Sequence, residues 1–165
     1  MRSGTGNFLA AGGGLRKWGA LMSDQQLMRL LDEAALRRTA ELYAQGADRR
    51  DKVTWAAITT EDCVIEAPGI ILRGQREIVA ALDIMAQLYV ATQHRVHNQI
   101  VSIEGDRARG ETYGVADHLS AVEGGRTLLT WAIRYQDRWR RDEGQWRFEH
   151  RFLILDWTET RVLDE

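Results

Sequence analysis

The stretch "ATQHRVHNQIV", residues 91–101, is where the chain changes from helical to extended patterning. Apolar residues before it recur at helical spacing, whereas the residues after it form four strand-like segments. These segments cover roughly 94–103, 107–121, 126–140 and 145–158. The sequences "EGD", "VEGG" and "RRDEGQ" separate them, and these compositions suit hairpin turns. Helices followed by an antiparallel meander predict an α+β fold, in which one curved, mostly antiparallel sheet wraps over the N-terminal helices.

Three helices are predicted ahead of the sheet. The first begins after Ser23, which can cap a helix, and runs to about Gln45, where Gly46 breaks the apolar pattern. The second and third are predicted over 51–59 and 75–89, with a short pair of strands between them. No repeat or linker interrupts this order, so one domain is expected.

The bulk composition limits the classes of function. The chain has 165 residues, 44% of them hydrophobic and 28% charged, with a net charge of −2. Neither a nucleic-acid partner nor a membrane partner is expected, because the basic bias and the long apolar run are both missing. A single cysteine, Cys63, excludes an intramolecular disulfide and fits a reducing cytoplasm. Residues 1–22 are glycine-rich and patternless, so we predict a mobile tail ahead of one domain over 23–165.

Two histidines lie three residues apart at the start of the extended region. Side chains alternate along a strand, so His94 and Asn98 are expected on one face and His97 on the other. A zinc site needs three or four converging ligands, so no metal site is predicted. His94 is the candidate general acid or base, because an imidazole holds or releases a proton near neutral pH. The alternative is a structural, hydrogen-bonded histidine. Asn98 either positions a substrate hydroxyl or satisfies a neighbouring backbone group.

Further candidate side chains lie on the first helix and on the second long strand. Asp48 is either a loop or capping aspartate, or a pocket carboxyl group whose pKa is raised by apolar surroundings. Tyr43 either donates a hydrogen bond to a substrate oxygen or simply ends the apolar stripe of the helix. His94 needs an orienting partner, and Asp117 and His118 are candidates. Because they are adjacent, at most one of them should reach the pocket.

The last third of the chain is rich in arginine and tryptophan. Arg151 either clamps a substrate anion or forms a surface ion pair. The tryptophans, including Trp131, are expected mostly in the core, and one or two of them lining a cavity would suit a flat aromatic or polycyclic substrate. No glycine-rich phosphate loop and no nucleophile elbow is visible, so no cofactor is predicted.

Four segments in this order give the chain its family resemblance. They are "YAQGADRRD", "TQHRVHNQI", "ARGETYGVADH" and "RYQDRWRRDEGQWRFEHR". Over about 24–157 the chain resembles the SnoaL-like branch of the NTF2-like superfamily. The resemblance implies a cone-shaped, cystatin-like fold in which a bent sheet and three helices enclose a deep pocket. It looks most similar in layout to scytalone dehydratase, bile-acid dehydratase and a diarylpropane formaldehyde-lyase.

The same resemblance implies a function and a set of site residues. It implies a cofactor-independent lyase that eliminates water or formaldehyde from a bulky hydrophobic alcohol, and a homo-oligomer, with a trimer favoured. The residues at the matching positions are Tyr43, Asp48, His94, Asp117 or His118, and Arg151. Two alternatives stay open: an isomerase of the ketosteroid type, and a non-catalytic binding or assembly protein. The mass of the product separates a lyase from an isomerase.

Overall fold

The structure, a computed structural model, describes residues 23–163. They form three helices and six strands, and the first two strands lie between the second and third helices. In chain order these are α1 (Asp24–Arg49), α2 (Lys52–Ile58), β1 (Thr59–Ala67), β2 (Ile70–Arg73), α3 (Gly74–Leu88), β3 (Ala91–Glu104), β4 (Arg107–Val122), β5 (Gly125–Asp142) and β6 (Gln145–Leu163). The predicted tail over 1–22 lies outside the described residues.

Helix α1 begins as predicted but ends later. Ser23 accepts a hydrogen bond from the Gln26 backbone N–H, and the Gln26 side chain bonds back to the Ser23 N–H, which forms a capping box. The predicted end at Gln45 is wrong, because the helix continues through Gly46 to Arg49. A Cβ at Gly46 would lie 2.6 Å from Cδ1 of Trp55. Gly46 therefore serves close packing between α1 and α2, and the extra turn carries Asp48.

The six strands form one mixed sheet in the order β2-β1-β6-β5-β4-β3. All neighbours are antiparallel except β1 and β6, which pair in parallel. The predicted α+β fold is confirmed, and its long strands pair through the predicted hairpins. Helix α1 packs against β3 and β6, and α3 packs against β1. We call the sheet face that meets these helices the inner face and the opposite one the outer face.

The core lies between the inner face and the helices. Its fully buried apolar side chains include Leu36 on α1, Ile78 and Leu82 on α3, and Trp139 and Phe148 on the sheet. None of the helices among residues 23–163 is both long and apolar enough to cross a membrane.

Candidate active site

The last turn of α1 meets the start of β3 through a pair of side chains. The imidazole Nδ1 of His94 lies 2.7 Å from Oδ1 of Asp48, and the His94 backbone N–H donates to Oδ2 at 2.9 Å. The Thr92 hydroxyl donates to the same carboxylate at 3.0 Å. The His94 and Asp48 side chains are 11% and 23% exposed, so solvent weakens these bonds only in part. Three donors thus fix the carboxylate, and the carboxylate fixes the imidazole.

The protonation state of this pair follows from its hydrogen bonds. Burial alone would raise the pKa of Asp48, but the bonds from the His94 ring, the His94 backbone and Thr92 outweigh it and hold that pKa below its usual value. The expected raised pKa is therefore wrong, because the apolar pocket was considered without these donors. An ionised carboxylate only accepts, so Nδ1 of His94 carries a proton, and in the neutral imidazole the lone pair lies on Nε2. The arrangement is a histidine base oriented by an aspartate.

A cavity of about 200 Å³ opens beside His94. Apolar side chains from all three helices and from the sheet make up most of its wall. The polar side-chain groups among its lining residues are few: the hydroxyls of Tyr43, Tyr89 and Tyr135, the imidazoles of His94 and His118, and the indole N–H groups of Trp55 and Trp131. A cavity with an apolar wall and few convergent polar groups is typical of a small-molecule site.

The two adjacent candidates on β4 point to opposite faces. His118 is buried on the inner face and lines the cavity. Asp117 lies on the outer face, where it accepts from Arg95 at 2.8 Å and from Thr130 at 2.7 Å. No bulge interrupts β4 between these two residues, so strict alternation places their side chains on opposite faces of the sheet. Asp117 therefore does not line the cavity.

His118 lies among aromatic rings. Its ring centroid is 4.6 Å from that of Tyr89, 4.8 Å from that of Trp131 and 6.0 Å from that of His94. Burial, followed by the proximity of His94, lowers the pKa of His118 to about 4. His118 is therefore neutral at pH 7, with its Nδ1 3.4 Å from the carbonyl oxygen of Leu129. Trp131 lines the cavity as expected of a residue that contacts a flat substrate.

A bulge in β3 removes Asn98 from the site. The pairing with β4 shifts register between Val96 and Gln99, so the alternation counted from His94 fails after Val96. Asn98 is exposed, and Gln99 turns inward and donates to the Thr112 hydroxyl at 3.0 Å. The bulge therefore leaves Asn98, the predicted substrate contact, outside the cavity wall. Arg37 of α1 donates to the carbonyl oxygens of Val96 and His97, which holds the bulge in place.

Arg151 is neither a surface residue nor a free cation. Its side chain is 1% exposed, and its Nε and Nη2 each lie 2.8 Å from the carboxylate of Asp137, which is fully buried. The guanidinium also lies over the rings of Tyr43, Tyr135 and Phe148, at 4.3, 3.9 and 4.2 Å from their centroids. A surface ion pair is thus contradicted, and the charge available to clamp a substrate anion is already neutralised by Asp137. Tyr43 stacks between this guanidinium and Trp55, whose ring centroid is 4.7 Å away.

Four residues of the site escaped the sequence analysis. One of them, Tyr89, lines the cavity from the position directly after α3. Thr92 and Asp137 position Asp48 and Arg151, and Tyr135 lines the cavity. Alternation along β5 inward from Trp139 would have placed both Asp137 and Tyr135 on the inner face. Nothing in the local sequence links Thr92 to Asp48, which is 44 residues away. Within residues 23–163 no group of three or more potential ligands could hold a metal ion, and His97 is exposed.

Comparison with known families assigns the chain. A model of the SnoaL-like domain matches residues 28–152, which span α1 to the middle of β6. The chain belongs to the SnoaL-like domain family. No curated protein sequence matches it. The expected family is therefore confirmed, and the matched region of this SnoaL-like domain contains all the cavity-lining residues except Leu153.

Solved structures show how the SnoaL-like fold is shared. A protein of unknown function from Mycobacterium tuberculosis, Rv3472, is 26% identical, with a TM-score of 0.70 over 78% of this chain and 74% of its own. A putative scytalone dehydratase from Novosphingobium aromaticivorans is 22% identical, with a TM-score of 0.71 over 82% of this chain and 93% of its own. A type 2 hexachlorocyclohexane dehydrochlorinase, LinA, is 20% identical, with a TM-score of 0.76 over 84% and 95%. Proteins named as a putative dehydratase and as a dehydrochlorinase thus share the fold of this chain.

Proposed function

We propose that this protein is a cofactor-independent lyase that eliminates water or formaldehyde from a bulky, neutral, hydrophobic alcohol. The observation that carries the proposal is His94 in the wall of an apolar cavity, with its Nδ1 held 2.7 Å from Asp48. A base held in one tautomer and one orientation is what proton abstraction requires. The structurally similar dehydratase and dehydrochlorinases support the same class of reaction.

The His94 imidazole acts as base and then as acid. For loss of water, Nε2 accepts a proton from a substrate carbon, and Asp48 stabilises the imidazolium that forms. The C–O bond breaks as the C=C bond forms, and the imidazolium returns its proton to the departing hydroxyl, which leaves as water. For loss of formaldehyde, Nε2 instead accepts the O–H proton of a hydroxymethyl group, and the C–C bond breaks to release formaldehyde. The C–C electron pair stays on the substrate carbon, which then takes the proton back from the His94 imidazolium.

The other polar groups of the cavity orient the substrate. Neutral His118 accepts a hydrogen bond from the substrate hydroxyl, since its pKa of about 4 leaves it unprotonated at pH 7. Tyr43 donates to a substrate oxygen, because burial raises the pKa of its phenol and keeps it protonated. The substrate is neutral, since the positive charge of Arg151 is taken by Asp137 and Asp48 is held by His94.

Mass spectrometry tests the proposal directly. The purified protein is incubated with a panel of aryl propanediols, hydroxylated polycycles and steroid-like alcohols. A product lighter by water or by formaldehyde is expected with the wild type and not with His94→Ala. His97→Ala is the matched control, because His97 lies on the same strand and is exposed. It should retain full turnover.

Other results point to the alternatives. A product of unchanged mass and altered absorbance, lost in His94→Ala, would replace the lyase with an isomerase. Tight binding of panel members without turnover would replace it with a binding protein. A lyase activity that survives in His94→Ala would remove the histidine base from the mechanism.

A further inference from the structure

Arg50 directly follows α1, and its side chain contacts three elements that surround the site. Its Nη1 donates to the carbonyl oxygen of Ala47 in the last turn of α1 and, at 2.7 Å, to the hydroxyl of Thr92 on β3. Its Nη2 lies 3.5 Å from the carbonyl oxygen of Met85 in the last turn of α3. Carbonyl oxygens at helix ends carry partial negative charge, which suits a cation. The guanidinium thus joins α1, α3 and the start of β3 at the place where Asp48 is bound.

The backbone of Arg50 has a left-handed conformation, with a φ of 56° and a ψ of 35°. Its N–H donates to the carbonyl oxygen of Ala47 at 3.3 Å, which closes the end of α1. Glycine is the usual residue in this conformation at a helix end, because a Cβ raises its energy. The bonds of the Arg50 side chain account for an arginine at this position.

The guanidinium fixes the direction of the Thr92 hydroxyl. A guanidinium has only donors, so the Thr92 oxygen accepts from Arg50, and the hydroxyl proton is repelled from that side. The proton points instead to Oδ1 of Asp48, 3.0 Å away. The same carboxylate accepts from the ring and the backbone of His94. Since all of these neighbours donate, Asp48 is held as an ionised acceptor.

We propose that Arg50 is a positioning residue, which directs the Thr92 hydroxyl at Asp48 and so holds the carboxylate that orients His94. Arg50 is not one of the residues that line the cavity, so it acts through Thr92 and Asp48 and not on the substrate. The inference rests on the proposed function only for the use of His94 as a base. The hydrogen-bond chain itself is tested without turnover.

Other charged or titratable side chains also lie near the His94–Asp48 pair: those of Arg37, Glu41, Arg49 and His118. Arg49 precedes Arg50 in the sequence, carries the same charge and is exposed. Arg49→Gln is therefore the matched control, because it removes one positive charge from this region and leaves the bond between Arg50 and Thr92 in place.

The pKa of Asp48 reports on the hydrogen-bond chain. It is measured from the pH dependence of the carboxyl ¹³C signals of aspartate-labelled protein, in which the signal missing from Asp48→Asn belongs to Asp48. Arg50→Gln and Thr92→Val should each raise this pKa by about one pH unit, because the carboxylate loses a directed donor. Thr92→Ser keeps the hydroxyl and should retain the wild-type pKa. Arg49→Gln should change it by less than about 0.3.

The double variant Arg50→Gln/Thr92→Val separates positioning from the effect of charge alone. Because Arg50 acts through Thr92, Arg50→Gln in the Thr92→Val background should raise the pKa of Asp48 by less than about half of its effect in the wild type. Equal effects in both backgrounds would overturn the inference, since Arg50 would then act only through its charge. An unchanged pKa in Arg50→Gln, or an equal increase in Arg49→Gln, would also overturn it.

Neutron diffraction from crystals of the wild type covers the case in which Arg50→Gln does not fold. After exchange into heavy water, the deuteron of the Thr92 hydroxyl should lie between the Thr92 oxygen and Oδ1 of Asp48. A deuteron that points elsewhere would overturn the inference. Failure of the proposed function is distinguished by the turnover panel: a protein that has this hydrogen-bond chain and eliminates nothing keeps the chain and removes the lyase.

Discussion

The carboxylate of Asp48 is bonded twice to one residue, at 2.7 Å to the imidazole Nδ1 of His94 and at 2.9 Å to its backbone N–H. This double attachment fixes both the tautomer and the direction of the ring. We expect Asp48→Asn to lower kcat about 10²-fold or more, because an amide stabilises neither the tautomer nor the imidazolium. Asp117→Asn on the outer face is the matched control and should leave kcat unchanged. Full activity in Asp48→Asn would contradict the orienting role, provided circular dichroism shows both variants folded.

The buried His118 should make stability depend on pH. Its pKa is about 4 in the folded protein against an ordinary value of 6.5, so between these values the unfolded chain binds a proton that the folded protein does not. The contribution of neutral His118 to the free energy of unfolding is fully present above pH 6.5. It falls by up to about 3 kcal/mol as the pH is lowered towards 4. Urea unfolding at pH 7.5, 5.5 and 4.5 measures this loss. His118→Gln should show a clearly smaller loss over that range, and an equal one would mean that other groups cause it.

Removing one partner of the Arg151–Asp137 ion pair should lower the free energy of unfolding more than replacing both partners with apolar residues. Arg151→Met leaves a fully buried carboxylate without its partner, so the free energy of unfolding should fall by about 3–5 kcal/mol. The double variant Asp137→Leu/Arg151→Met removes both charges, and it should be more stable than Arg151→Met alone. Chemical denaturation of the three proteins gives the comparison. A double variant less stable than Arg151→Met would contradict this expectation, because it would show that two apolar side chains cannot replace the ion pair.

Because of the β3 bulge, substitutions of the neighbouring residues Asn98 and Gln99 should differ in their effect on the free energy of unfolding. Gln99→Ala should cost about 1 kcal/mol of unfolding free energy, because it removes the bond to Thr112 on the inner face. Asn98→Ala should stay within about 0.5 kcal/mol of the wild type, because Asn98 is exposed. The same denaturation assay measures both. A larger loss of stability for Asn98→Ala than for Gln99→Ala would contradict the bulge. It would favour the uninterrupted alternation along β3 that the sequence predicted.

The outer face of the sheet is where we propose that the protein forms its homo-oligomer, with a trimer favoured. Tyr113, Phe152 and Trp157 present their rings there, and Trp157 is 68% exposed. Exposed aromatic side chains on one face are typical of protein interfaces. Sedimentation equilibrium should give a mass above that of the monomer, and Trp157→Arg should lower it. Val53→Arg on α2, also exposed, is a control that should not. A monomeric wild type would contradict the proposal.

Much of the fold was predictable from local pattern. The capping box at Ser23, the turn compositions between the long strands and the period-two alternation depend on residues close in sequence, so hairpin pairing follows from them. The same alternation correctly separated His94 from His97. Local pattern failed at two places where tertiary contacts decide the structure. At Gly46 the neighbouring Trp55 requires a small residue, so the glycine lies inside α1 and does not end it. At the β3 bulge, Arg37 of α1 binds the strand backbone and interrupts the alternation.

The residue types of the candidate site were also readable from the sequence, but their partners were not. Tyr43, Asp48 and His94 were identified as candidates, whereas the orienting partner of His94 was sought on β4 and lies on α1. Asp117 and His118 were indistinguishable until the strand's inner face was known. Arg151 was expected at the surface or on a substrate, because the sequence does not show that Asp137 lies opposite it in the neighbouring strand.

The sequence by itself determined the order of helices and strands, the α+β class and the set of side chains capable of acid–base chemistry. The tertiary structure alone decided the charge states and directions of those side chains. Hydrogen bonds across 44 and 46 residues lower the pKa of Asp48, and burial among the rings of Tyr89, His94 and Trp131 makes His118 neutral. A pKa depends on which donors, charges and apolar groups lie within a few ångströms, and only the folded chain brings those groups together.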